Sequence, residues 1–369
     1  MTNLMEEIDN RLVELNLPPI SDVVNNKKKS VQYINKILKQ YGNKVTIPFN
    51  SSLEQYDFRV KHVLFSFGLG IVLSAFHNIK SKIEEEYKKY GIQNTFIYTW
   101  LTLCLYHDFG YFIGESHLRI DDIEKIKLKY NIFNYTYCDS RYSKKLYYHY
   151  YKNKYERQNW AQKNYNLSEH EEVGDHGILG GYVLFERFYF SETEIGPKKK
   201  EFDFQADNTE LYFERIPLYQ DICFRIMEHN IWKSKNLYEN SNPLHEIDAG
   251  HFLRIDFIEP LLYLLSLVDT IEMTKKFCRY SDESKDKDRF VFPKTLGRKI
   301  KIEISDGTIN IDYSELERHI KRHKYVNSID DWITSVIGLN DWVCIDVYEN
   351  KNSRLISKTE FNTAMQSAI

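Results

Sequence analysis

The sequence contains few of the residues that interrupt helices. Only 15 of its 369 residues are glycine and only 8 are proline, and these two residues are the strongest breakers of regular structure. Their scarcity argues against a turn-rich β architecture and favours long helices. Hydrophobic residues make up 42% of the chain and charged residues 28%, an ordinary mixture for a globular protein. We therefore predict a mostly α-helical protein with a substantial core.

The chain also has few cysteines and a small net charge. The five cysteines are too far apart for a CxxC zinc knuckle. Their odd number and their spacing are not typical of a secreted disulfide framework. A formal net charge of -3 excludes a polycation, so any attraction for phosphates must come from local patches of the surface.

Targeting and membrane signals are lacking as well. The N-terminal stretch has no basic start followed by an apolar run, which a signal peptide requires. The most apolar segments, 62–79 and 257–271, carry histidine or carboxylate side chains within them or at their edges. Such residues favour buried core helices over membrane spans. We expect a cytoplasmic protein that does not enter a membrane.

Hydrophobic periodicity and composition divide the chain into three predicted regions. The last region differs from the others because its residues alternate from Lys299 to Asp312 around Asp306-Gly307, a strong hairpin signal. The charged run at 281–289 has the composition of a solvated linker. The predicted regions are a helical lead-in at 1–50, a main helical domain at 51–280 with an insertion at 128–165, and a small α+β region at 290–369.

The helical spacing of apolar side chains places the individual helices. The pattern predicts that the third helix is continuous over 53–89, and that the fourth ends directly at His107-Asp108. A strand near 342–348 is expected in the C-terminal region. The predicted helices lie near 3–16, 27–42, 53–89, 95–107, 176–190, 217–231, 251–278, 313–323 and 329–337.

The pair His107-Asp108 closes an otherwise apolar helix. Adjacent residues on a helix point about 100° apart, so both side chains can reach one metal ion only where the backbone bends. Gly110 permits such a bend. Taken alone, the pair is explained equally well as the capped end of a helix.

Four further ligand-type residues lie at the inner edges of separate apolar helices. His62 lies on an apolar helix face, His176 lies at the glycine-rich start of a predicted helix, and His229 ends an amphipathic helix. Asp269 lies in an apolar run, where an unpaired carboxylate would be costly. Each is more often a buried polar group satisfied by its neighbours. Together they are better explained as converging ligands of divalent metal ions.

In this order the residues resemble the HD-domain metal-dependent phosphohydrolase superfamily. The resemblance covers roughly 55–280, and its most specific parts are His107-Asp108 with Gly110, the His176-Gly177 start and the helix of Asp269. It implies an HD-type helical core that binds two ions, with iron or manganese common. The implied ligands are His62, His107, Asp108 and Asp269 for the first ion, and Asp108, His176 and His229 for the second.

The resemblance also implies a reaction, in which metal-activated hydroxide hydrolyses a phosphoester or phosphoanhydride of a nucleotide-type substrate. Asp108 would then be catalytic, because it would bridge the two ions. Many relatives carry a lysine where this chain has Tyr111, so charge neutralisation at that point needs another group. The candidate substrate-binding residues are Tyr111, His117, Arg119, Lys275 and Lys276.

The insertion at 128–165 is basic and rich in tyrosine. It holds ten Tyr and eight Lys or Arg against only Asp139 and Glu156. Such a segment suits a surface for a nucleotide or nucleic acid. The favoured alternative is a lid that packs its aromatic rings on the domain, and the two overlap because a lid over the metal site would help to select the substrate.

Two other functions stay open beside hydrolysis. A non-catalytic module could keep the metal pocket to sense a nucleotide, which the replacement of lysine by Tyr111 favours. A nucleic-acid-directed nuclease would use the basic insertion. The region from 290 onward gives no chemical signal, and we expect it to mediate partner binding or homo-oligomer formation.

Overall fold

The structure is a computed structural model. It describes residues 2–41, 57–88, 95–108, 177, 181, 218, 221–223, 225, 226, 229, 260–277, 292–305, 307–323, 329–338, 345–348 and 355–356. The predicted insertion at 128–165 lies outside these residues. So do the predicted helices near 176–190 and 217–231, apart from the isolated positions just named.

The described part of the chain is mostly helical, with one small sheet near the C-terminus. This confirms the predicted fold class at that level. In chain order the helices are α1 (Leu4–Glu14), α2 (Lys27–Tyr41), α3 (Asp57–Leu73), α4 (Ile79–Tyr87), α5 (Thr95–Tyr106), α6 (Pro260–Ile271), α7 (Thr274–Phe277), α8 (Pro293–Lys299), α9 (Ser314–His323) and α10 (Ile329–Gly338). The strands are β1 (Lys301–Ser305), β2 (Thr308–Asp312), β3 (Ile345–Tyr348) and β4 (Leu355–Ile356).

Helix α3 lies at the centre of the helical core. From Val60 to Leu73 all its side chains except Lys61 are buried, as expected for a helix that is apolar all round. It contacts α1, α2, α5 and α6. Gly70 allows the close approach of α5, because a Cβ there would lie 2.1 Å from the Trp100 ring.

The continuous helix predicted at 53–89 is wrong, because the chain breaks between α3 and α4. The two helices meet at 96° across a short 3-10 turn that contains His77 and Asn78, both with positive φ. Asparagine tolerates that conformation better than most residues. The Ser74 hydroxyl donates to the Ile71 carbonyl at 2.8 Å, a local hydrogen bond that competes with helix propagation.

The continuous helix predicted at 251–278 is interrupted as well. Helix α6 ends at Ile271, and α7 begins only at Thr274. Trp332 Nε1 donates to the Ile271 carbonyl at 3.1 Å. In a continuing helix that carbonyl would accept a hydrogen bond from the backbone amide four residues later. The Glu272 carboxylate accepts from the Thr274 amide at 2.8 Å and so caps the new helix. Glu272 lies at this interruption and is 2% exposed.

The C-terminal sheet has the strand order β1-β2-β3-β4. The predicted hairpin is confirmed: β1 and β2 pair antiparallel, and Gly307, with φ 73°, supplies the left-handed turn position. Strand β3, which lies within the predicted strand near 342–348, pairs parallel with β2. Because parallel strands need a crossover, the chain passes through α9 and α10 between them. Strand β4 was not predicted.

The N-terminal helix joins the helical core to the sheet region. Helix α1 contacts α3, α8 and β1, and the Leu4 amide donates to the Ile300 carbonyl at 2.7 Å. One continuous hydrophobic cluster includes side chains from all three predicted regions. Within the described ranges no single helix is long and apolar enough to cross a membrane, although α3 and α4 would suffice if counted together across their bend.

Candidate metal centre

Five of the six predicted metal ligands come together in the interior. His62 lies on α3, His107 and Asp108 directly follow α5, and Asp269 lies in the last turn of α6. His229 lies in a turn after helical residues 225 and 226. All five are buried, with exposed fractions between 0% and 7%. The centre is therefore built where three long apolar helices meet.

The donor atoms are spaced as ligands of a common ion would be. His62 Nε2 lies 3.3 Å from His107 Nε2 and 3.2 Å from Asp108 Oδ2. His107 Nε2 lies 3.6 Å from Asp108 Oδ1 and 3.8 Å from Asp269 Oδ1. Bonds of about 2.1 Å to one first-row divalent ion put neighbouring ligands roughly 3.0–3.4 Å apart. The two shortest separations fall in that range, and the others exceed it by a few tenths of an ångström.

The ligand-type atoms form two triads that share Asp108. One triad is His62, His107 and Asp108, and the other is Asp108, His229 and Asp269; within each, the atoms lie within 4.8 Å of one another. These buried groups could hold a metal ion. Burying two carboxylates is costly without compensation, and a divalent cation between them supplies it.

Backbone carbonyls orient two of the three imidazoles. His107 Nδ1 lies 3.0 Å from the Cys104 carbonyl, and His229 Nδ1 lies 2.6 Å from the Ile226 carbonyl. A carbonyl only accepts hydrogen bonds, so each Nδ1 carries a proton, and in the neutral ring the lone pair lies on Nε2. This is the tautomer that binds a metal through Nε2. Burial raises the pKa of the Cys104 thiol well above its ordinary value, so the thiol stays protonated. The contact of Cys104 with His107 is made by its backbone carbonyl.

A carboxylate orients the third imidazole. His62 Nδ1 lies 3.0 Å from Glu272 Oε2, and the hydroxyls of Ser66 and Thr274 each lie 3.4 Å from the same nitrogen. Thr274 donates to Glu272 Oε1 from its amide at 2.8 Å, and its hydroxyl makes a further contact with that oxygen. Glu272 thus links the start of α7 to the His62 ring.

Sequence reasoning missed Glu272. The available signal was its position three residues after Asp269, which places both carboxylates near one helical face. The contact itself joins residues 210 positions apart, which no local pattern reveals.

The sixth predicted ligand, His176, lies outside the described residues. Its neighbour Gly177 is described and packs directly against the centre. A Cβ on Gly177 would lie 2.7 Å from the Ile226 carbonyl oxygen and 2.8 Å from Nδ1 and Cε1 of His229. Any other residue at this position would have to displace the imidazole or the backbone.

The described residues do not test the predicted substrate-binding side chains. Tyr111, His117 and Arg119 lie outside the described residues. Lys275 and Lys276 belong to α7, which begins two residues after the carboxylate that contacts His62, but only their backbone is described.

Comparison of the chain with models of known protein families, with curated proteins and with solved structures finds no match. The buried cluster of histidines and aspartates is compatible with an HD-like motif.

Proposed function

We propose that this chain is a metal-dependent phosphohydrolase of the HD type, which cleaves a phosphoester or phosphoanhydride of a nucleotide-type substrate. One observation carries the proposal. Five residues selected by type and order along the sequence converge in one buried cluster, although up to 207 positions separate them. The most distant pair is His62 and Asp269. Unrelated core polar groups have no reason to meet with Nε2 and carboxylate oxygens 3.2–3.8 Å apart.

In this proposal the chain holds two ions. The geometry of the two triads supports Asp108 as the shared ligand, because it is the one residue common to both. His176 would add to the side of His229, as the packing of Gly177 against that ring suggests. Two divalent ions lower the pKa of a bound water and neutralise charge on a phosphoryl oxygen. Iron or manganese suits mixed imidazole and carboxylate ligands.

The protein residues have defined tasks in such a site. The Cys104 and Ile226 carbonyls and the Glu272 carboxylate orient the imidazoles. The buried helices exclude bulk water from the ligands, which strengthens every electrostatic interaction at the centre. The proposed substrate contacts, through Tyr111, His117, Arg119, Lys275, Lys276 and the basic insertion at 128–165, would supply recognition of phosphate and base.

The test is elemental analysis of the purified protein, paired with a phosphate-release screen. The screen covers nucleotides, small phosphoesters and single-stranded oligonucleotides, with added manganese or iron. We expect about two ions per chain and turnover of a nucleotide-type substrate, both lost in Asp108→Ala. His77→Ala is the matched control, because His77 is an exposed histidine at the bend before α4 and should change neither readout.

The other outcomes separate the competing functions. Bound metal without turnover across the panel would support the non-catalytic nucleotide-sensing module. Cleavage of oligonucleotides alone would support the nuclease, which also predicts salt-sensitive binding. Absence of bound metal, with no effect of Asp108→Ala, would refute the proposed metal centre.

A further inference from the structure

We propose that Glu272, held by Thr274, is a positioning residue that fixes the tautomer of His62 and so prepares Nε2 for metal binding. The inference rests on the proposed metal centre. It extends that proposal to a residue that touches none of the reacting atoms.

The three imidazoles have different hydrogen-bond partners at Nδ1. His107 and His229 face backbone carbonyls, which can only accept, so their tautomers follow from the fold. Among the described residues, His62 Nδ1 instead contacts three side chains: the Glu272 carboxylate at 3.0 Å and the hydroxyls of Ser66 and Thr274 at 3.4 Å. A hydroxyl can donate or accept. On its other side the ring faces the Asp108 carboxylate, whose Oδ2 lies 3.2 Å from Nε2, so each ring nitrogen has a carboxylate acceptor. The contact with Glu272 is the shorter of the two, and it favours the proton on Nδ1.

Glu272 is itself held in place by Thr274. The Thr274 amide donates to Oε1 at 2.8 Å, and a peptide N–H cannot act as an acceptor. The Thr274 hydroxyl contacts the same oxygen. Oε1 is thus the fixed, backbone-facing acceptor, and Oε2 is the oxygen that remains directed at His62. Both atoms are buried with their residue, which is 2% exposed.

This arrangement gives an unusual consequence for a glutamine at position 272. Glutamine would place its carbonyl oxygen at the ε1 position, because the Thr274 amide requires an acceptor there. Its NH₂ group would then face His62 Nδ1 and donate to it. His62 would be forced to carry its proton on Nε2, the atom proposed to bind metal. The substitution closest in shape should therefore be the most harmful to metal binding.

A methionine at position 272 is the matched control. It has nearly the volume of glutamine but no N–H donor. His62 Nδ1 could then donate to the Ser66 or Thr274 hydroxyl, both within 3.4 Å, and Nε2 would keep its lone pair. Loss of an outer partner of a metal-bound histidine typically costs about 10- to 100-fold in metal affinity. We expect Glu272→Met to lose metal affinity by a factor near the lower end of this range. Glu272→Gln should lose affinity by a factor at or beyond the upper end.

The experiment has two readouts. In metal-free protein labelled with ¹⁵N-histidine, nitrogen shifts report which ring atom is protonated. At a pH of about 8.5 most histidines are neutral, and the His62 signals are those missing in His62→Gln. Titration with Co²⁺ alone, followed by its visible absorption, gives the affinity. Wild type should carry a proton on His62 Nδ1, Glu272→Gln should lose it, and Glu272→Gln should bind Co²⁺ more weakly than Glu272→Met.

Two results would overturn the inference. One is an unprotonated Nδ1 in wild-type His62, which needs no variant to fold. The other is Co²⁺ binding by Glu272→Gln that equals or exceeds that of Glu272→Met, as a purely structural role of the side chain predicts. If the wild-type protein binds no divalent ion, the proposed function fails, and the proton positions in wild type and Glu272→Gln alone decide the role of Glu272.

Discussion

The Nε2 atoms of His62 and His107 lie 3.3 Å apart in the buried centre. Each ring directs its Nδ1 at a hydrogen-bond acceptor, Glu272 for His62 and the Cys104 carbonyl for His107. If both Nδ1 atoms carry protons, two nitrogen lone pairs face each other, with the Asp108 carboxylate 3.2 Å from the nearer one. Three electron-rich atoms at this spacing repel one another unless a cation or a proton lies between them.

A cation at this position should therefore stabilise the folded protein. An ion that binds only the native state adds about 2.7 kcal/mol to the free energy of unfolding when its concentration is 100 times Kd. We expect urea unfolding of the metal-loaded protein to shift to lower denaturant after treatment with a chelator. Restoring the ion should reverse the shift. Identical unfolding curves with and without chelator would contradict the proposed centre.

The number of bound ions should depend on which ligand is removed. Asp108 belongs to both triads, whereas His229 belongs to one. Asp108→Ala should therefore reduce the metal content to about zero, and His229→Ala to about one ion per chain, if each triad anchors one ion. Elemental analysis of the two variants beside wild type measures this. Equal losses in both variants would argue for a single shared ion.

The sequence was informative about which helices form, and less so about where they end. The apolar spacing located α5 correctly and indicated a helix at α3, because burial on all sides leaves a continuous apolar pattern, but it extended that helix beyond Leu73. The bend after Leu73 carries no glycine or proline. It depends on hydrogen bonds of Ser74 and on positive φ at His77 and Asn78. Neither a hydroxyl hydrogen bond nor a positive φ changes the spacing of apolar residues, so the pattern alone predicted one long helix.

The same distinction holds at the candidate site. His62 and Asp269 could be identified because a polar residue in an apolar helix needs a partner. Glu272 lies where α6 ends, and a carboxylate at a helix end ordinarily faces solvent. Here Glu272 is buried, and Trp332 of the C-terminal region donates to the carbonyl of the preceding residue, Ile271. That contact crosses 61 positions of sequence and has no local signature.

Tyr33 should make the fold sensitive to alkaline pH. Its hydroxyl donates to the Pro18 carbonyl at 2.6 Å. Burial, together with the Asp9 carboxylate and Tyr41, raises the pKa of Tyr33 far above its ordinary value. The unfolded chain loses this proton near pH 10 while the folded protein keeps it. The resulting stability is therefore fully present below about pH 10 and declines as the pH rises further.

Tyr33→Phe tests this linkage. At neutral pH the variant should lose about 1 kcal/mol of unfolding free energy, because the Pro18 carbonyl loses its donor. Above about pH 10 the difference between variant and wild type should shrink, since phenylalanine does not titrate. Urea unfolding at several pH values measures both effects, and the other tyrosines cancel in the comparison. A difference that is constant with pH would contradict the raised pKa of Tyr33.

Gly177→Ala should impair the metal centre without removing a ligand. The new Cβ would lie 2.7 Å from the Ile226 carbonyl oxygen and 2.8 Å from the His229 ring, so the ring or its supporting carbonyl must shift. Overpacking of this kind typically costs about 1–3 kcal/mol of stability. We expect weaker metal binding on the side of His229, measured by elemental analysis and by titration with Co²⁺.

Gly297→Ala provides the control for that substitution. A Cβ on Gly297 would come within 2.8 Å of the Met5 methyl group and 3.3 Å of Phe65. This clash involves none of the proposed ligands, and the flexible Met5 side chain relieves part of it. It should lower stability while the metal content stays at the wild-type value. If both variants lose metal to the same degree, the effect of Gly177→Ala reflects general destabilisation. If only Gly177→Ala loses metal, the close packing of Gly177 on His229 is what holds that imidazole in place for binding.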